Sequence, residues 1–472
     1  MKKYFVLLFL IILLSGCGKK NGDLILATEA GFAPYEYYKD GEIVGVDIDI
    51  VKKIADKLNM NLVIKDVYFD SIINEVKTGK SDIGAAGISY TKERSKEVDF
   101  TNYYIESKQV MIVKKNSFIK SPSEITDEKI AVQLGSVADT YLTENYNDVT
   151  VVREKKFLAA IEDLNDDKVD AVVMDLIPAK KLINDDLIIL SEPLVIDNYG
   201  MVVQKGNKEL LEKANLVIDE LKSNGTIDEI MLKHMEVEDK VNNNTSLYDK
   251  FYNSIIYDSR YKYIFEGLKN TLIIAIGAVV LGTILGSLFA ITRNIHDDSG
   301  KLKILNYIAK LYVTVIRGTP SILQLMIIYY VIFKTSNINI VLVGILAFGI
   351  NSGAYVAEII RAGINSVSRG EKEAGFALGL NYSQVMFKIV IPNAIKNILP
   401  ALGNEFITLV KETAVGAYIG IVELTKASDI IASRTYDYFF PLIIIAIIYL
   451  FITLVLSKLI NIMEVKLNHV RN

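Results

Sequence analysis

Two charged residues at predicted strand ends have the chemistry to bind a zwitterion. Arg94 lies in the first turn of a helix predicted to begin at Thr91. A cation there opposes the helix dipole and is unexpected unless an anion binds beside it. The guanidinium can hold a carboxylate through two parallel hydrogen bonds, with the Ser89 hydroxyl and backbone N–H groups completing the site. Asp175 ends an apolar strand, where its carboxylate could receive an ammonium group. Together they could clamp the head group of an α-amino acid, although either residue alone is more often a solvated surface residue.

Aromatic and acidic residues could surround the side chain of such a ligand. Glu29 and Phe32 follow the first predicted strand, and Phe69 begins a helix. Two rings could sandwich a side chain whose end meets the Glu29 carboxylate. That carboxylate suits a cation, such as the side chain of arginine or lysine, or an amide donor, such as that of glutamine. Taken alone, Phe32 and Phe69 are more often core residues.

The segment that carries these residues alternates strand and helix patterns. Residues 24–27 form an apolar strand pattern, and residues 46–58 form an amphipathic helix pattern. The order helix, turn, strand then occurs twice, over 69–87 and over 157–175. This repetition predicts two α/β lobes, with a ligand cleft facing the carboxyl ends of the strands. Hinges between the lobes are predicted near 109–116 and 199–206.

The second half of the chain is apolar enough to enter a membrane. Long apolar runs predict about five transmembrane helices, near residues 268–291, 322–333, 338–360, 390–410 and 441–459. The second run is short and could begin near Tyr312. Lysine and arginine cluster between the first two spans, between spans three and four, and after span five. The positive-inside rule places these groups in the cytoplasm and the N-terminal half outside it.

The N-terminus has the layout of a secretory signal peptide. Lys2 and Lys3 precede an apolar run over 4–14 that is too short to span a bilayer. Leu14-Ser15-Gly16-Cys17 resembles the lipobox of bacterial lipoproteins, which implies cleavage after residues 1–16 and lipid attachment at Cys17. An uncleaved anchor with an incidental cysteine is the alternative. Both place the domain over 22–237 outside the cytoplasm, followed by a linker over 238–263 and a membrane domain over 264–472.

Composition argues against several classes of function. The formal net charge of −4 gives no basic field for nucleic acid. The single cysteine allows no intrachain disulfide, and the three histidines are scattered, so no metal site is indicated. No nucleophile and base pair suggests an enzyme, and no cofactor is expected to bind this chain. The sequence also lacks a G-x-x-x-x-G-K-[ST] phosphate loop, so any ATP that drives this protein must be hydrolysed by another chain.

The first half resembles the polar amino-acid-binding proteins of bacterial ABC importers. The resemblance lies in Ala27-Thr-Glu-Ala-Gly-Phe-Ala-Pro-Tyr-Glu-Tyr37, Gly45-Val-Asp-Ile-Asp49, Gly87-Ile-Ser-Tyr-Thr-Lys-Glu-Arg94 and Val98-Asp-Phe-Thr101. It implies carboxylate binding by Arg94 and Ser89, ammonium binding by Asp175, and side-chain contacts from Glu29, Phe32 and Phe69. Relatives often carry a longer glycine-threonine stretch at Gln133-Leu-Gly-Ser-Val137. The full set of expected substrate-binding residues is Glu29, Phe32, Phe69, Ala86, Gly87, Ser89, Arg94, Gln133, Ser136, Val137 and Asp175. Relatives with glutamate at the position of Glu29 include arginine and cystine binders.

The second half resembles the polar amino-acid permeases of ABC importers. The resemblance lies in Arg317-Gly-Thr-Pro320, Asn351-Ser-Gly-Ala-Tyr-Val-Ala-Glu358, Glu373-Ala374, Ala377-Leu-Gly379 and Gly403-Asn-Glu-Phe406, among others. It implies that Glu373, Ala374, Gly375 and Gly379 belong to a short coupling helix that docks on the ATPase. Gly375 stands where the family usually has alanine, a change expected to loosen this helix.

The fold expected from these patterns is a two-lobed α/β domain, like a periplasmic binding protein, followed by an all-α membrane domain. The resemblance implies a fused binding protein and permease of an amino-acid importer in the bacterial plasma membrane. Its expected partners are a free amino acid, ABC ATPase subunits, a second copy of the chain and the lipid bilayer. A ligand-gated channel or a membrane sensor with the same binding module is the alternative. The charged loop over 373–379 has no role in a channel, and the short C-terminal tail offers a sensor no output domain.

Overall fold

A computed structural model describes residues 22–39, 41–235, 246–334, 338–435 and 437–469. The predicted signal peptide over 1–16, the lipidation site Cys17 and the first part of the predicted linker lie outside the described residues. The chain divides into two compact units. The first contains the described residues up to Tyr261 together with Lys334 and the segment Ser428–Pro441. The second contains Lys262–Phe333, Ile338–Ala427 and the described residues from Leu442 onward.

The first unit is built from short strands alternating with helices. Its strands are β1 Asp23–Thr28, β2 Tyr37–Lys39, β3 Glu42–Val44, β4 Asn61–Asp66, β5 Ile83–Gly84, β6 Val98–Phe100, β7 Ile105–Lys114, β8 Lys129–Gln133, β9 Thr150–Glu154, β10 Ala171–Asp175, β11 Leu187–Ile189, β12 Val195–Tyr199 and β13 Val202–Gln204. Its helices are α1 Val46–Leu58, α2 Phe69–Lys77, α3 Lys92–Glu97, α4 Val137–Asn145, α5 Phe157–Asn165, α6 Leu176–Leu182, α7 Lys208–Ser223, α8 Thr226–Met235 and α9 Leu247–Phe251.

The strands form two separate main sheets, which confirms the two-lobed prediction. The first lobe has the strand order β4-β1-β5-β13-β6, in which β1 pairs in parallel with β4 and β5. The second lobe has the order β11-β7-β10-β8-β9, with β12 also paired to β7. Strand β8 pairs in parallel with both β9 and β10. In each lobe, parallel strands therefore end at one edge, where a loop residue can face a ligand.

The chain crosses between the lobes twice. It leaves the first sheet after β6 and enters the second at β7, so residues 101–104 form one crossing. It returns between β12 and β13, through residues 200–201. The hinge predicted near 199–206 includes this return. The hinge predicted near 109–116 lies within and just beyond β7, after the crossing has been completed. The apolar run over 109–113 is a strand of the second lobe, because its side chains fill the core of that lobe.

The apolar residues that the sequence places at strand and helix spacing form the cores of the lobes. Strand β10 is buried along its whole length, as expected for a strand covered on both faces. Helix α1 buries Val46, Ile50 and Ile54, which recur at helical spacing on one face. Strand β10 ends at Asp175, and the first turn of α1 carries Asp47, which accepts a hydrogen bond from the Gly87 N–H. Packing of the core therefore fixes where these two carboxyl groups lie.

The second unit is helical. Its helices are α10 Tyr261–Ser299, α11 Lys303–Arg317, α12 Ser321–Ile327, α13 Ile340–Asn365, α14 Arg369–Ala377, α15 Tyr382–Val385, α16 Ile391–Glu412, α17 Leu424–Thr435, which continues into the first unit, and α18 Phe439–His469. Segments Ile328–Ile332 and Met386–Val390 continue α12 and α15 with π-helical hydrogen bonding, and Thr413–Ile419 continues α16 as a 3-10 helix.

The number of apolar helices agrees with the sequence. Four continuous helical segments within the described residues are long and apolar enough to cross a membrane, and a bent pair raises the count to five. The bent pair joins Lys303–Arg317 to Ser321–Ile332 at an angle of 108°. It corresponds to the predicted second span and its possible earlier start. The break falls at Gly318-Thr-Pro320, where proline has no backbone N–H to continue the helix.

Small residues allow the long helices α10 and α13 to approach each other closely. A Cβ added at Gly286 of α10 would lie 2.7 Å from Val356 Cβ and 2.8 Å from the Ala357 backbone nitrogen in α13. Gly282 faces Ser352 in the same way. Association of apolar helices in lipid depends on such close packing, because the hydrophobic effect does not drive helices together there.

Candidate ligand-binding site

A small cavity lies in the first unit, between residues of its two lobes. Its lining includes predicted site residues from both lobes, namely Glu29, Phe32, Phe69, Ala86, Gly87, Ser89, Gln133, Ser136 and Val137. The lining also includes four residues that sequence reasoning missed, which are Glu36, Gln109, Phe157 and Tyr199. Arg94 and Asp175 do not belong to this lining, but each contacts a residue that does.

Arg94 is held between the lobes by backbone acceptors. The Thr91 hydroxyl accepts a hydrogen bond of 3.1 Å from the Arg94 N–H and caps α3, as predicted. The guanidinium donates to the Ser89 carbonyl at 2.6 Å and to the Gly135 carbonyl at 2.7 Å. It also lies 5.4 Å from the centre of the Phe69 ring. A ligand carboxylate would compete with these carbonyls for the same N–H groups.

Burial changes the electrostatics of Arg94. Loss of water lowers the pKa of the guanidinium to about 10, and attraction to Asp197 opposes this shift. The group still carries its charge at neutral pH, in surroundings where a bound carboxylate would be weakly screened.

Asp197 is an acidic residue that sequence reasoning missed. It lies in β12, and its carboxylate accepts a hydrogen bond from the Ser89 hydroxyl. Burial raises the pKa of Asp197, although the hydrogen bond from Ser89 and the charge of Arg94 oppose the shift. The Ser89 hydroxyl is therefore engaged by a carboxylate. In the sequence, Asp197 is one acidic residue among many. Its place beside Ser89 depends on the pairing of β12 with β7.

Asp175 ends β10 and is surrounded by donors. One carboxylate oxygen, Oδ1, accepts a hydrogen bond of 2.8 Å from the Ile177 N–H and caps α6. The other oxygen, Oδ2, accepts a hydrogen bond of 3.0 Å from the Tyr199 hydroxyl and another from the Ser107 hydroxyl. Burial raises the pKa of Asp175 to about 6, even though these hydrogen bonds favour the ionised form. A buried carboxylate of this kind can bind an ammonium group, which would replace lost hydration.

Glu29 is paired rather than open to a cation. Its Oε1 atom lies 2.9 Å from Lys156 Nζ, and its Oε2 atom accepts a hydrogen bond of 3.3 Å from the Gln133 amide. The side chains of Glu29 and Lys156 are only 4% and 6% exposed. Burial by itself would lower the pKa of Lys156, but attraction to Glu29 and Asp66 carries it well above its ordinary value. Sequence reasoning missed Lys156 because its partner lies 127 positions earlier in the chain.

The aromatic side of the cavity contains more rings than predicted. Phe32 stacks on Phe157 and on Tyr35, with ring centres 5.4 Å apart in both cases. Phe69 also lines the cavity and lies below the Arg94 guanidinium. Phe157 begins α5 in the second lobe, so the stacked rings come from both lobes. An apolar ligand segment could pack against these rings.

Gly87 allows a close approach that a side chain would block. Its φ angle is +53°, and an added Cβ would lie 3.0 Å from Phe32 and from Tyr199. Its N–H donates a hydrogen bond of 3.0 Å to Asp47. Opposite, Ser136 caps α4 by accepting from the Asp139 N–H at 3.2 Å. The hydrogen bonds of Gly87 and Ser136 therefore fix the backbone of the loop that contains each residue, and both loops line the cavity.

Burial raises the pKa of two carboxyl groups next to the cavity. Burial raises the pKa of Asp47 to about 6, although hydrogen bonds from the Gly87 N–H and the Tyr104 hydroxyl oppose the shift. Burial and repulsion from Asp47 and Glu29 raise the pKa of Glu36 well above its ordinary value. Glu36 lines the cavity, so its proton affinity bears on the charge there. Among the described residues, no group of three or more His, Cys, Asp or Glu side chains could hold a metal ion.

The predicted coupling segment forms the short helix α14, as expected. Ser368 caps its start, and Gly379 follows its end with a φ of +78°, which favours glycine. Glu373 is exposed and pairs with Arg369 at 3.1 Å. Ala374 is exposed too. Gly375 is the only buried residue of the helix, and an added Cβ would lie 2.6 Å from Ile389. Gly375 thus permits close packing against Ile389. The sequence predicted only that a glycine here would loosen the helix.

Comparison with protein families matches both units. Residues 24–237 match the bacterial extracellular solute-binding proteins, family 3. Residues 279–469 match the binding-protein-dependent transport system inner membrane component. The two matches do not overlap, and together they include the cavity and most of the helical unit.

Individual relatives match one half of the chain each. A putative glutamine transport system permease protein of Rickettsia prowazekii is 38% identical over 220 residues, which are 46% of this chain and 96% of the relative. The arginine transport system permease protein of Bacillus subtilis is 39% identical over 207 residues, 43% of this chain and 92% of the relative. Among solved structures, an ancestral arginine-binding protein bound to arginine is 39% identical, with a TM-score of 0.43, and the match covers 45% of this chain and 98% of that protein.

Proposed function

We propose that this chain, which belongs to the amino-acid ABC transporter family as a fusion of a family 3 solute-binding domain with a permease domain, captures a free polar amino acid and passes it through its own pore. The observation that carries this proposal is the placement of two opposite charges beside one cavity. Arg94 comes from the first lobe and Asp175 from the second, and both contact residues that line the cavity.

The two charges suit the head group shared by all α-amino acids. The Arg94 guanidinium would bind the ligand carboxylate through two N–H groups that now meet carbonyl oxygens. The Asp175 carboxylate would bind the ammonium group, with the Tyr199 hydroxyl holding the carboxylate in place. Because the two groups belong to different lobes, a ligand that binds both would favour the closed arrangement of the domain.

The side-chain end of the cavity favours polar ligands. Glu29, Glu36 and Gln133 supply hydrogen-bonding groups, while the rings of Phe32 and Phe157 supply apolar contact. Arginine, lysine and glutamine are the candidates that follow from the carboxylate at Glu29, and cystine is a further one. The permeases quoted above are named for glutamine and arginine.

The permease domain would couple transport to ATP hydrolysis by a separate chain. Helix α14 and the residue that follows it present exposed apolar side chains, with Phe376 47% and Leu378 80% exposed, next to the exposed Glu373. Such a surface on a short helix fits a docking contact with an ATPase. We propose a homodimer with two ATPase subunits in the bacterial plasma membrane, with the binding domain outside the cytoplasm and lipid attached at Cys17.

Ligand binding by the purified full-length chain in lipid nanodiscs tests the proposal. We expect one or a few polar amino acids, out of the twenty and cystine, to bind with micromolar or tighter affinity. Arg94→Ala should abolish that binding while the protein still elutes as a single folded species. A well-folded wild-type chain that binds none of them would contradict the assignment to amino acids. Uptake into proteoliposomes only when the ATPase and ATP are present separates an importer from a channel.

A further inference from the structure

The side-chain end of the cavity contains a charge pair that belongs to the protein itself. Glu29 lines the cavity, and Lys156 Nζ lies 2.9 Å from its Oε1 atom. The Gln133 amide donates to the other oxygen, Oε2. One oxygen of the carboxylate is therefore ion-paired and the other is hydrogen-bonded within the protein before any ligand enters.

The pair leaves little net charge at this end of the cavity. Glu29 carries a negative charge that Lys156 compensates at close range. Burial and neighbouring carboxylates raise the pKa of Glu36 well above its ordinary value, which disfavours a second negative charge beside Glu29. Asp66 also attracts Lys156, but its own oxygens accept hydrogen bonds from the Ala30 N–H and the Tyr38 hydroxyl, both at 3.1 Å. Asp429 attracts Lys156 as well, so this lysine is the cation in direct contact with Glu29 within an acidic surrounding.

Ligand side chains of different charge meet this pair differently. A guanidinium or an ammonium group beside Glu29 would lie within a few ångströms of the Lys156 ammonium and be repelled. A carboxylate would be repelled by Glu29. A carboxamide carries no net charge, and its NH₂ group can donate to Glu29 without displacing Lys156. Repulsion between buried or half-buried unit charges at such distances changes affinity by at least about tenfold.

We propose that Lys156 sets the side-chain selectivity of the binding domain by neutralising Glu29, so that the cavity prefers a carboxamide side chain, such as that of glutamine, over the cations of arginine and lysine. The inference rests on the proposed function, since it concerns the same cavity. Lys156 acts here as a positioning residue, because its effect on the ligand passes through Glu29.

Competition binding on the full-length chain in nanodiscs tests this selectivity. The wild-type chain should bind glutamine at least about tenfold more tightly than arginine or lysine. Lys156→Met exposes the charge of Glu29, so the ratio of arginine to glutamine affinity should rise at least about tenfold. Lys156→Arg keeps the charge and should keep the wild-type ratio. Lys168→Met removes an exposed lysine of the same domain and should change neither affinity.

Glu29→Gln provides the reciprocal test, and it also serves if Lys156→Met does not fold. It removes the carboxylate closest to the Lys156 ammonium, so the ratio of glutamate to glutamine affinity should rise at least about tenfold. The double variant Glu29→Gln with Lys156→Met has no charge at the pair, and it should gain neither arginine nor glutamate binding.

Three results would overturn the inference while leaving the proposed function intact. They are a wild-type chain that prefers arginine, a Lys156→Met variant with an unchanged ratio, and a double variant that gains arginine as the single variant does. Absence of binding to every amino acid would instead contradict the proposed function itself.

Discussion

The Arg94 guanidinium of the first lobe donates a hydrogen bond of 2.7 Å to the Gly135 carbonyl of the second lobe. This bond crosses the cleft at the place where a ligand carboxylate is proposed to bind. Another N–H group of the same guanidinium donates to the Ser89 carbonyl within the first lobe. A ligand would exchange neutral carbonyl acceptors for a charged one, which makes stronger hydrogen bonds with a guanidinium.

Arg94 should therefore be essential for affinity. We expect Arg94→Lys to weaken binding of the preferred amino acid about a hundredfold, because lysine cannot make the paired planar contact. Arg94→Ala should weaken it further. Calorimetry on the fragment comprising residues 22–237 measures both changes. Lys92→Ala, an exposed residue of the same helix, is the matched control and should retain wild-type affinity. If Lys92→Ala lost as much affinity as Arg94→Ala, the cause would be damage to α3 and not loss of a carboxylate contact.

Ligand affinity should fall in acid because Asp175 must be ionised to bind an ammonium group. Its pKa in the ligand-free domain is raised to about 6 by burial. Above pH 7 the group is ionised and affinity should be constant. Below pH 6 the ligand must displace a proton, so affinity should fall up to about tenfold per pH unit. Binding measured between pH 4.5 and 8 gives this profile.

Ser107 offers a control for that assignment. Its hydroxyl donates to Asp175 and favours the ionised form. Removal of the donor in Ser107→Ala should raise the pKa of Asp175, so the midpoint of the affinity profile should move to higher pH. An unchanged midpoint in this variant would assign the titration to another group, such as Asp47, whose pKa is also raised to about 6.

The hydrogen bond between Tyr104 and Asp47 should contribute to the stability of the binding domain. The Tyr104 hydroxyl donates to Asp47 Oδ1 at 2.7 Å, and both side chains are buried. Tyr104→Phe removes a donor to a buried carboxylate, so we expect the free energy of unfolding to fall by about 1–3 kcal/mol. Denaturant unfolding of residues 22–237 measures it. Tyr103→Phe, whose parent residue is 40% exposed, should cost less than about 0.5 kcal/mol.

Close packing of α10 against α13 should make Gly286 intolerant of a side chain. Gly286→Ala would place a methyl group 2.7 Å from Val356 and 2.8 Å from a backbone nitrogen. Since backbone cannot move aside as a side chain can, we expect a loss of about 1–3 kcal/mol in stability. Thermal unfolding of the full-length chain in detergent reports the change. Gly370→Ala has no atom within 4 Å of the added Cβ and should leave the transition unchanged.

Glu373 should matter for transport and not for capture of the ligand. It is exposed on α14 and pairs with Arg369 on the same helix. If α14 docks on the ATPase, Glu373→Ala should lower ATP-driven uptake into proteoliposomes at least about tenfold and leave ligand affinity unchanged. Glu209→Ala breaks a similar exposed pair, with Lys213, in the binding domain and should not affect uptake. Normal uptake by the Glu373 variant would argue against a coupling contact at this residue.

The periodicity of the chain was sufficient to predict the main elements. The apolar run over 24–27 lies in β1, the amphipathic pattern over 46–58 forms α1, and the repeated helix and strand order forms two sheets. The long apolar runs became the membrane-length helices. These features follow from the sequence because burial of a face at period 2 or 3.6, or of a whole segment, is a local property of the chain.

Some of the candidate site was also accessible from local chemistry. Thr91 and Arg94 could be placed in one helical turn, and Asp175 could be placed at the end of a buried strand. The structure brings Glu29, Phe32, Phe69 and Ser89 to one cavity. Their roles in ligand binding remain predictions that the experiments above test.

The sequence by itself determined the two-part architecture, the two lobes, the apolar spans and the residues with chemistry suited to a zwitterion. Only the tertiary structure decided which charges compensate one another. The structure shows an ion pair between Glu29 and Lys156, and hydrogen bonds from Ser89 to Asp197 and from Tyr199 to Asp175. It also shows that one crossing between the lobes lies at residues 101–104 and not near 109–116. The physical reason is that such partners come from separate strands and loops. Their distances depend on sheet order and lobe packing, which no local pattern in the chain encodes.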